Sequence, residues 1–184
     1  ISANRTISTV NNKMTTPKWS PIAWDFDTAF DNIFLYYNYT GENIDLLMTK
    51  QDAILPRMFQ SFMANPLFKR DFINRTADLL NTIFLKDSLL ELRVANKNQI
   101  NIDYQRMLTH YGKTNTYWES QLAIMDQNIV KRDTIIWNRI KSNFAINDTV
   151  TVNLKTNISQ AGTILINTVA PKTYPWKGVY FKNN

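Results

Sequence analysis

The feature that most limits the fold is a change in the spacing of apolar residues near Asn147. From residue 116 to about residue 142, apolar side chains recur every three or four positions, which is the period of an amphipathic α-helix. After the change, "TVTVNLKT" alternates apolar and polar residues, and "GTILINT" and "GVYFK" follow turn residues, a pattern typical of strands. The sequence therefore predicts a helical body followed, after Ile146, by a small antiparallel β unit. We interpret the apolar stripe of the long helix as core rather than as a cofactor surface; its members are Trp118, Leu122, Met125, Ile129, Ile136, Ile140 and Phe144.

Shorter helices are predicted upstream of that stripe. Asn65 followed by Pro66 is a typical helix start, because Asn caps free N–H groups and Pro suits the first helical position. Apolar residues at helical spacing continue from there to Phe84. Gly112 suits a helix end, since glycine readily adopts positive φ. The predicted segments are residues 42–48, 55–63, 66–84, a shorter helix and a break within 86–101, and a last helix within 102–112.

Two carboxylates near the N-terminus raise the possibility of a metal site. Residues 5–10 suit an extended segment and residues 18–24 a second strand, with "NNKMTTP" as the turn between them. If the second strand persists for a few more residues, Asp25 and Asp27 point to one face, since side chains alternate along a strand. Two carboxylates at a strand end suit a hard cation such as Mg²⁺. On spacing alone this pair is a weak signal for a metal, and two alternatives stay open: Asp27 as the cap of a turn, and Asp25 as the partner of an arginine.

The composition excludes several kinds of site. The chain has no cysteine, which excludes disulfides, iron–sulfur clusters and thiolate zinc sites. Its net charge is +6, but Lys and Arg are spread along the sequence, so we expect solvated faces and no nucleic-acid partner. No stretch approaches the ~20 apolar residues of a membrane span. His110 is the only histidine, and a single His is more often a hydrogen-bonded structural residue than a metal ligand.

Other polar and aromatic candidates have a structural interpretation. We expect Arg75 to pair with Asp71 or Asp78 rather than to clamp a phosphate, because acids at these spacings share a helix face with it. Trp176 and Tyr180 are expected to pack in the core of the small sheet rather than to form a sugar-stacking platform.

Four segments resemble the CotH kinase family, named after spore coat protein H. "KWSPIAWDFDTAF" is similar to the family's lysine-tryptophan strand that leads into W-D-x-D and an aromatic residue. "ANPLFKRDFINRTADLLNTIF" is similar to its N-P-x-F-x-x-x-F helix; a helix with His110, followed by Trp118, and the late "YPWKGVYF" complete the set. The resemblance runs through most of the chain. The chain departs from the family at Asp31, where relatives usually have Gly after the aromatic residue.

The resemblance implies the C-terminal lobe of an atypical protein-kinase-like fold, α+β and mainly α. The lobe would comprise residues 1–146, with a short hairpin near the N-terminus, and residues 147–184 would form a C-terminal β appendage. It also implies ATP- and Mg²⁺-dependent phosphoryl transfer to a protein, with Asp25 as the metal ligand, Asp27 as a second or supporting ligand, and Asn4 as the other. Such transfer depends mainly on positioning and charge neutralisation, which is a reason to keep two acids in an aromatic setting.

The same resemblance places the catalytic machinery elsewhere. The family's catalytic Asp is expected a few residues before Asn4 and its ATP-binding Lys in an N-terminal lobe, so we expect this fragment to be inactive alone. Two other classes stay open: a pseudokinase-like scaffold, and a carbohydrate- or protein-binding module. We expect a bacterial protein at the cell surface, in the periplasm or secreted, or alternatively in a spore coat.

Overall fold

A computed structural model describes residues 2–6, 9–10, 13–14, 18–22, 43–158 and 162–182. The chain divides into two compact units, Ile1–Asn38 and Tyr39–Asn184. Within the described residues the elements are β1 (Ser2–Thr6), β2 (Thr9–Val10), β3 (Lys13–Met14), β4 (Lys18–Ile22), α1 (Asn43–Thr49), α2 (Ile54–Met63), α3 (Pro66–Leu80), α4 (Lys86–His110), α5 (Asn115–Phe144), β5 (Thr149–Leu154) and β6 (Trp176–Phe181).

The first unit contains the predicted hairpin. Strands β1 and β4 are antiparallel, with Ser2 opposite Ile22, and β2 pairs with β3 inside the same hairpin. The predicted antiparallel pairing is therefore confirmed, but its bounds are wrong: the strand paired with β4 is Ser2–Thr6 rather than residues 5–10, and Lys13–Met14, predicted as turn, belongs to a strand.

Helix α3 begins as its sequence predicts. Pro66 is the first helical residue, and the Asn65 side chain accepts a hydrogen bond from the Leu67 N–H at 2.9 Å. The helix ends at Leu80 rather than continuing to Phe84, so the predicted end is wrong. The next residue, Asn81, bonds through its side chain to the backbone of Val179 in β6, so the chain is tied to the strand at the point where the helix ends.

Helix α4 is continuous, so the predicted break within residues 86–101 is wrong. The polar stretch that suggested the break lies against α5, where Arg93 forms a two-pronged ion pair with Asp126 and Lys97 lies 2.7 Å from Glu119. Polar residues can occupy a helix seam when the facing helix supplies the opposite charge. The predicted stop is confirmed: Gly112 follows the helix end with φ of 61°.

Helices α4 and α5 form an antiparallel hairpin with a small core of its own. Tyr104 stacks on Trp118 at a centroid distance of 3.7 Å, and Leu108 and Leu122 pack beside them. The first half of α5 therefore packs in the core of this hairpin. The second half of the predicted stripe packs in the main core, through Ile140 and Phe144.

The main core is shared by helices and strands. Its buried members come from α2, α3, α5 and β6, so the β unit packs into the same core as the helical body. They are Met63, Ile73, Ala77, Ile140, Phe144, Tyr180 and Phe181. The prediction of an α+β fold that is mainly helical is confirmed. In the described part of the chain, none of the helices combines the length and apolar character needed to cross a bilayer.

The described residues after Asn147 form two strands rather than the three predicted. Strands β5 and β6 are antiparallel, with Thr149 opposite Phe181. The strand predicted over "GTILINT" is wrong: residues 162–165 are irregular, and a tight turn joins Ile166 to Val169 through backbone bonds of 2.8 and 3.0 Å. Asn167 occupies this turn with φ of 48°, a conformation that asparagine tolerates better than most residues.

Candidate functional site

The predicted metal ligands fall largely beyond the described residues. Asp25 and Asp27 lie outside them, and Asn4 lies in β1, where its backbone is opposite Ser20 of β4. Asp25 follows Ser20 by five residues, which is about 16 Å along a fully extended strand. Asn4 and Asp25 can therefore share one ion only if the chain turns back after Ile22, where β4 ends. The three-ligand site stays a prediction.

The described residues show no alternative metal centre. Among them, no group of three His, Cys, Asp or Glu side chains is arranged to hold an ion. His110 closes α4, where its ring meets the edge of Tyr111 at a centroid distance of 4.9 Å.

The most unusual polar group in the described chain is the carboxylate of Asp78. It is the one charged side chain there that is buried, with 1% of its surface exposed. It accepts hydrogen bonds from the Thr168 N–H at 2.9 Å, the Thr168 hydroxyl at 2.6 Å and the Tyr180 hydroxyl at 3.0 Å, with the Asn167 amide at 3.4 Å. These bonds attach α3 to both the tight turn and β6.

The partner predicted for Arg75 is wrong. Its guanidinium donates to the hydroxyl of Thr168, not to a carboxylate, while Asp71 pairs with Arg70 at 3.0 Å. Arg75 therefore acts on Asp78 through Thr168, whose hydroxyl accepts from Arg75 and donates to Asp78. Spacing on one helix could not reveal this, because Thr168 is 93 residues away in sequence.

Tyr180 is held neutral by its surroundings. Burial, the hydrogen bond to Asp78 and the negative charge of that carboxylate all raise the pKa of the Tyr180 hydroxyl. Trp176 lies beside it at 6.5 Å between ring centroids, and Gly178 leaves space for the indole, since a Cβ there would lie 2.3 Å from it. The expectation that these two aromatic residues pack in the core is confirmed.

The raised pKa of Tyr180 predicts a loss of stability in alkali. An unfolded tyrosine ionises near pH 10, so the stabilisation from a neutral Tyr180 is complete below about pH 10 and is lost as the pH rises above it. By pH 11 the loss should reach about 1.4 kcal/mol. Urea unfolding at pH 9 and pH 11 measures this loss of stability. Tyr180→Phe should lose less stability between the two pH values than the parent protein. The control Tyr111→Phe changes an exposed ring and should match the parent. Equal losses in all three proteins would contradict the prediction.

Asn81 joins α3 to β6 in the manner of a neighbouring strand. Its side-chain amide donates to the Val179 carbonyl at 2.6 Å and accepts from the Val179 N–H at 2.8 Å. The same amide donates to the carbonyl of Ala77 within the helix. One side chain therefore satisfies both backbone groups of Val179.

Removing this amide should weaken the helix–strand junction. We expect Asn81→Ala to lower the free energy of unfolding by about 1–3 kcal/mol, because two backbone groups lose their partners. The control is Asn138→Ala, an exposed position on α5, where Ala should be neutral or slightly stabilising as the better helix former. Chemical denaturation compares the two variants, and equal stabilities would show that Asn81 is dispensable.

These junctions explain the architecture rather than a reaction. The carboxylate of Asp78 is enclosed and its oxygens are occupied by donors, so it offers no open position for a substrate. Sequence reasoning missed its role and that of Asn81. The available signal was the position of Asp78 on the core side of α3 and of Asn81 directly after its last residue, near Ala77 and Leu80.

No family model matches the chain, and no match was found among curated proteins or among solved structures.

Proposed function

We propose that this chain is the C-terminal lobe of a CotH-like atypical protein kinase. In the polypeptide that carries it, the lobe would support phosphoryl transfer from ATP to a protein at a bacterial surface or spore coat. The observation that supports the proposal is the antiparallel β1–β4 pair, because β4 ends at Ile22, two residues before the W-D-x-D segment begins in the sequence. A mainly helical unit follows, as a C-terminal lobe requires, and its N-P-x-F segment opens α3.

In the proposed chemistry, Mg²⁺ would provide the positive charge of the site. Asp25 would be the residue that holds the ion, with Asp27 assisting and Asn4 supplying a neutral oxygen. So small a set of protein ligands suits Mg²⁺, which usually keeps water and substrate phosphate oxygens as its other ligands. When bound, Mg²⁺ would supply neutralisation of the charge on the phosphates, and these residues would fix its position.

The test is phosphoryl transfer by the polypeptide that includes the sequence upstream of Asn4. Incubation with γ-labelled ATP and Mg²⁺ should label the protein itself or an added surface protein, and EDTA should abolish the labelling. Residues 1–184 alone should transfer nothing, because the ATP-binding Lys and the catalytic Asp are expected upstream. Absence of labelling, together with no Mg²⁺-dependent binding of ATP, would favour the pseudokinase-like scaffold instead.

A further inference from the structure

Helix α2 is apolar on two opposite sides. On its inner side Pro56 and Met63 are buried, and Phe59 meets the ring of Phe72 edge-on at 5.3 Å. Gln60 also faces inward, where its amide donates to the carbonyls at the end of α1. A surface helix normally has one apolar face, and a helix that is apolar all round is normally covered.

The outer side of α2 carries a second apolar stripe. Ile54, Met58 and Phe62 are 74%, 48% and 50% exposed, and their i, i+4, i+8 spacing places them in one row about 12 Å long. Phe68 of α3 extends the row, with its ring 5.2 Å from that of Phe62. Leu67 is also exposed beside it. The row borders a shallow groove of about 420 Å³.

One cation lies in this groove without a counter-charge among the described residues. Arg57 lines the groove, and no hydrogen bond or ion pair joins its guanidinium to another described residue. Asp52, five residues before Arg57 in the sequence, lies beside Lys50, and Asp71 of α3 is paired with Arg70. Ser61, the other polar residue of the groove, uses its hydroxyl on the carbonyl of Arg57. The groove therefore combines apolar anchor sites with one free guanidinium.

We propose that this groove, formed by Ile54, Arg57, Met58, Ser61 and Phe62, binds an acidic amphipathic helix of a partner protein. An apolar row at i, i+4 and i+8 matches the side-chain spacing of a helix laid along it. A carboxylate on that helix would pair with Arg57, and the surrounding apolar contacts would shield the pair from water. The proposal does not depend on kinase activity.

Binding can be measured with designed peptides. The probe is a fluorescein-labelled helical peptide with Leu at i, i+4 and i+7 and Glu beside them, and a second peptide has Lys in place of each Glu. The Glu peptide should bind the full chain, and Arg57→Glu should weaken it at least about tenfold while improving the Lys peptide. Met58→Asp should abolish binding of both, whereas Met107→Asp, at a similarly exposed methionine on α4, should leave binding unchanged. No binding of the Glu peptide, or equal effects of the two Met variants, would overturn the proposal.

Two further measurements separate other occupants of the groove. The chain has no cysteine, so single-cysteine variants report on one site each. Met58→Cys should react with maleimide as fast as Met107→Cys; strong protection in the monomer would mean that the chain covers its own groove, which overturns the proposal. Sedimentation should detect no oligomer that Met58→Asp dissociates. Such an oligomer would identify a second copy of the chain as the occupant of the groove, which overturns the proposal.

Discussion

Asp78→Ala is expected to lower the free energy of unfolding by about 3–5 kcal/mol, the largest effect of any single exposed or buried acid in the described chain. The substitution removes the acceptor for the Thr168 N–H, the Thr168 hydroxyl and the Tyr180 hydroxyl at once. Donors left unpaired in a buried site lose their hydrogen bonds to water as well as to the carboxylate. Urea unfolding followed by circular dichroism gives the change directly.

Two variants control this measurement. Asp71→Ala removes an exposed acid from the same helix, and its pair with Arg70 is worth at most about 1 kcal/mol. Asp78→Asn preserves shape and one acceptor oxygen, so it should fall between the parent and Asp78→Ala, and it remains measurable if the alanine variant does not fold. Similar stabilities of Asp71→Ala and Asp78→Ala would show that the buried carboxylate is not a structural junction.

The position of the damage is also predicted. Because Asp78 bonds to the turn and to β6, its loss should speed amide hydrogen exchange in β6 first. The α4–α5 hairpin has its own core around Trp118, so its protection should change less. Uniform loss of protection would indicate that the two clusters unfold together.

The sequence predicted those parts of the fold that are determined within one element. The start of α3 depends on Asn65 and Pro66, and the end of α4 depends on Gly112, so local patterns were sufficient. The change of period near Asn147 correctly marked the passage from helix to strand. It did not show that both sides of this point pack into one core, because periodicity describes one segment and not its neighbours.

The errors occurred where distant residues decide local structure. The polar part of α4 remains helical because Arg93 and Lys97 meet acids on α5. The apolar run "GTILINT" looked like a strand, yet its end is held as a turn by Asp78, about ninety residues earlier in the chain. Contacts between residues far apart in the sequence cannot be predicted from the spacing of neighbouring residues. For the candidate site, sequence and resemblance supplied Asp25, Asp27 and Asn4, and the structure adds only that Asn4 lies in β1 opposite Ser20 of β4.

Asp25 and Asp78 are both acids near aromatic residues, but we expect opposite behaviour from them. Asp78 is committed to internal donors, so its loss should lower stability. Asp25 is proposed to bind a cation that the chain itself does not supply. Without that cation, its negative charge is repelled by the charge of Asp27, two residues away in the sequence. A charge kept for a ligand should therefore contribute to activity rather than to stability.

If the proposed kinase activity holds, Asp25→Asn in a polypeptide that includes the proposed N-terminal lobe is expected to lower the rate of phosphoryl transfer by about 10²-fold or more, as for the loss of one preorganised electrostatic group. Thermal stability should stay unchanged or rise slightly, because the substitution keeps the side-chain shape and relieves repulsion from Asp27. Asp31→Asn, an identical change outside the W-D-x-D motif, should leave the rate near that of the parent. Raising the Mg²⁺ concentration should partly restore the Asp25→Asn protein if the defect is weakened metal binding. If Asp25→Asn instead destabilises the fold while transfer persists, Asp25 is a structural ion-pair partner, and the metal assignment is wrong.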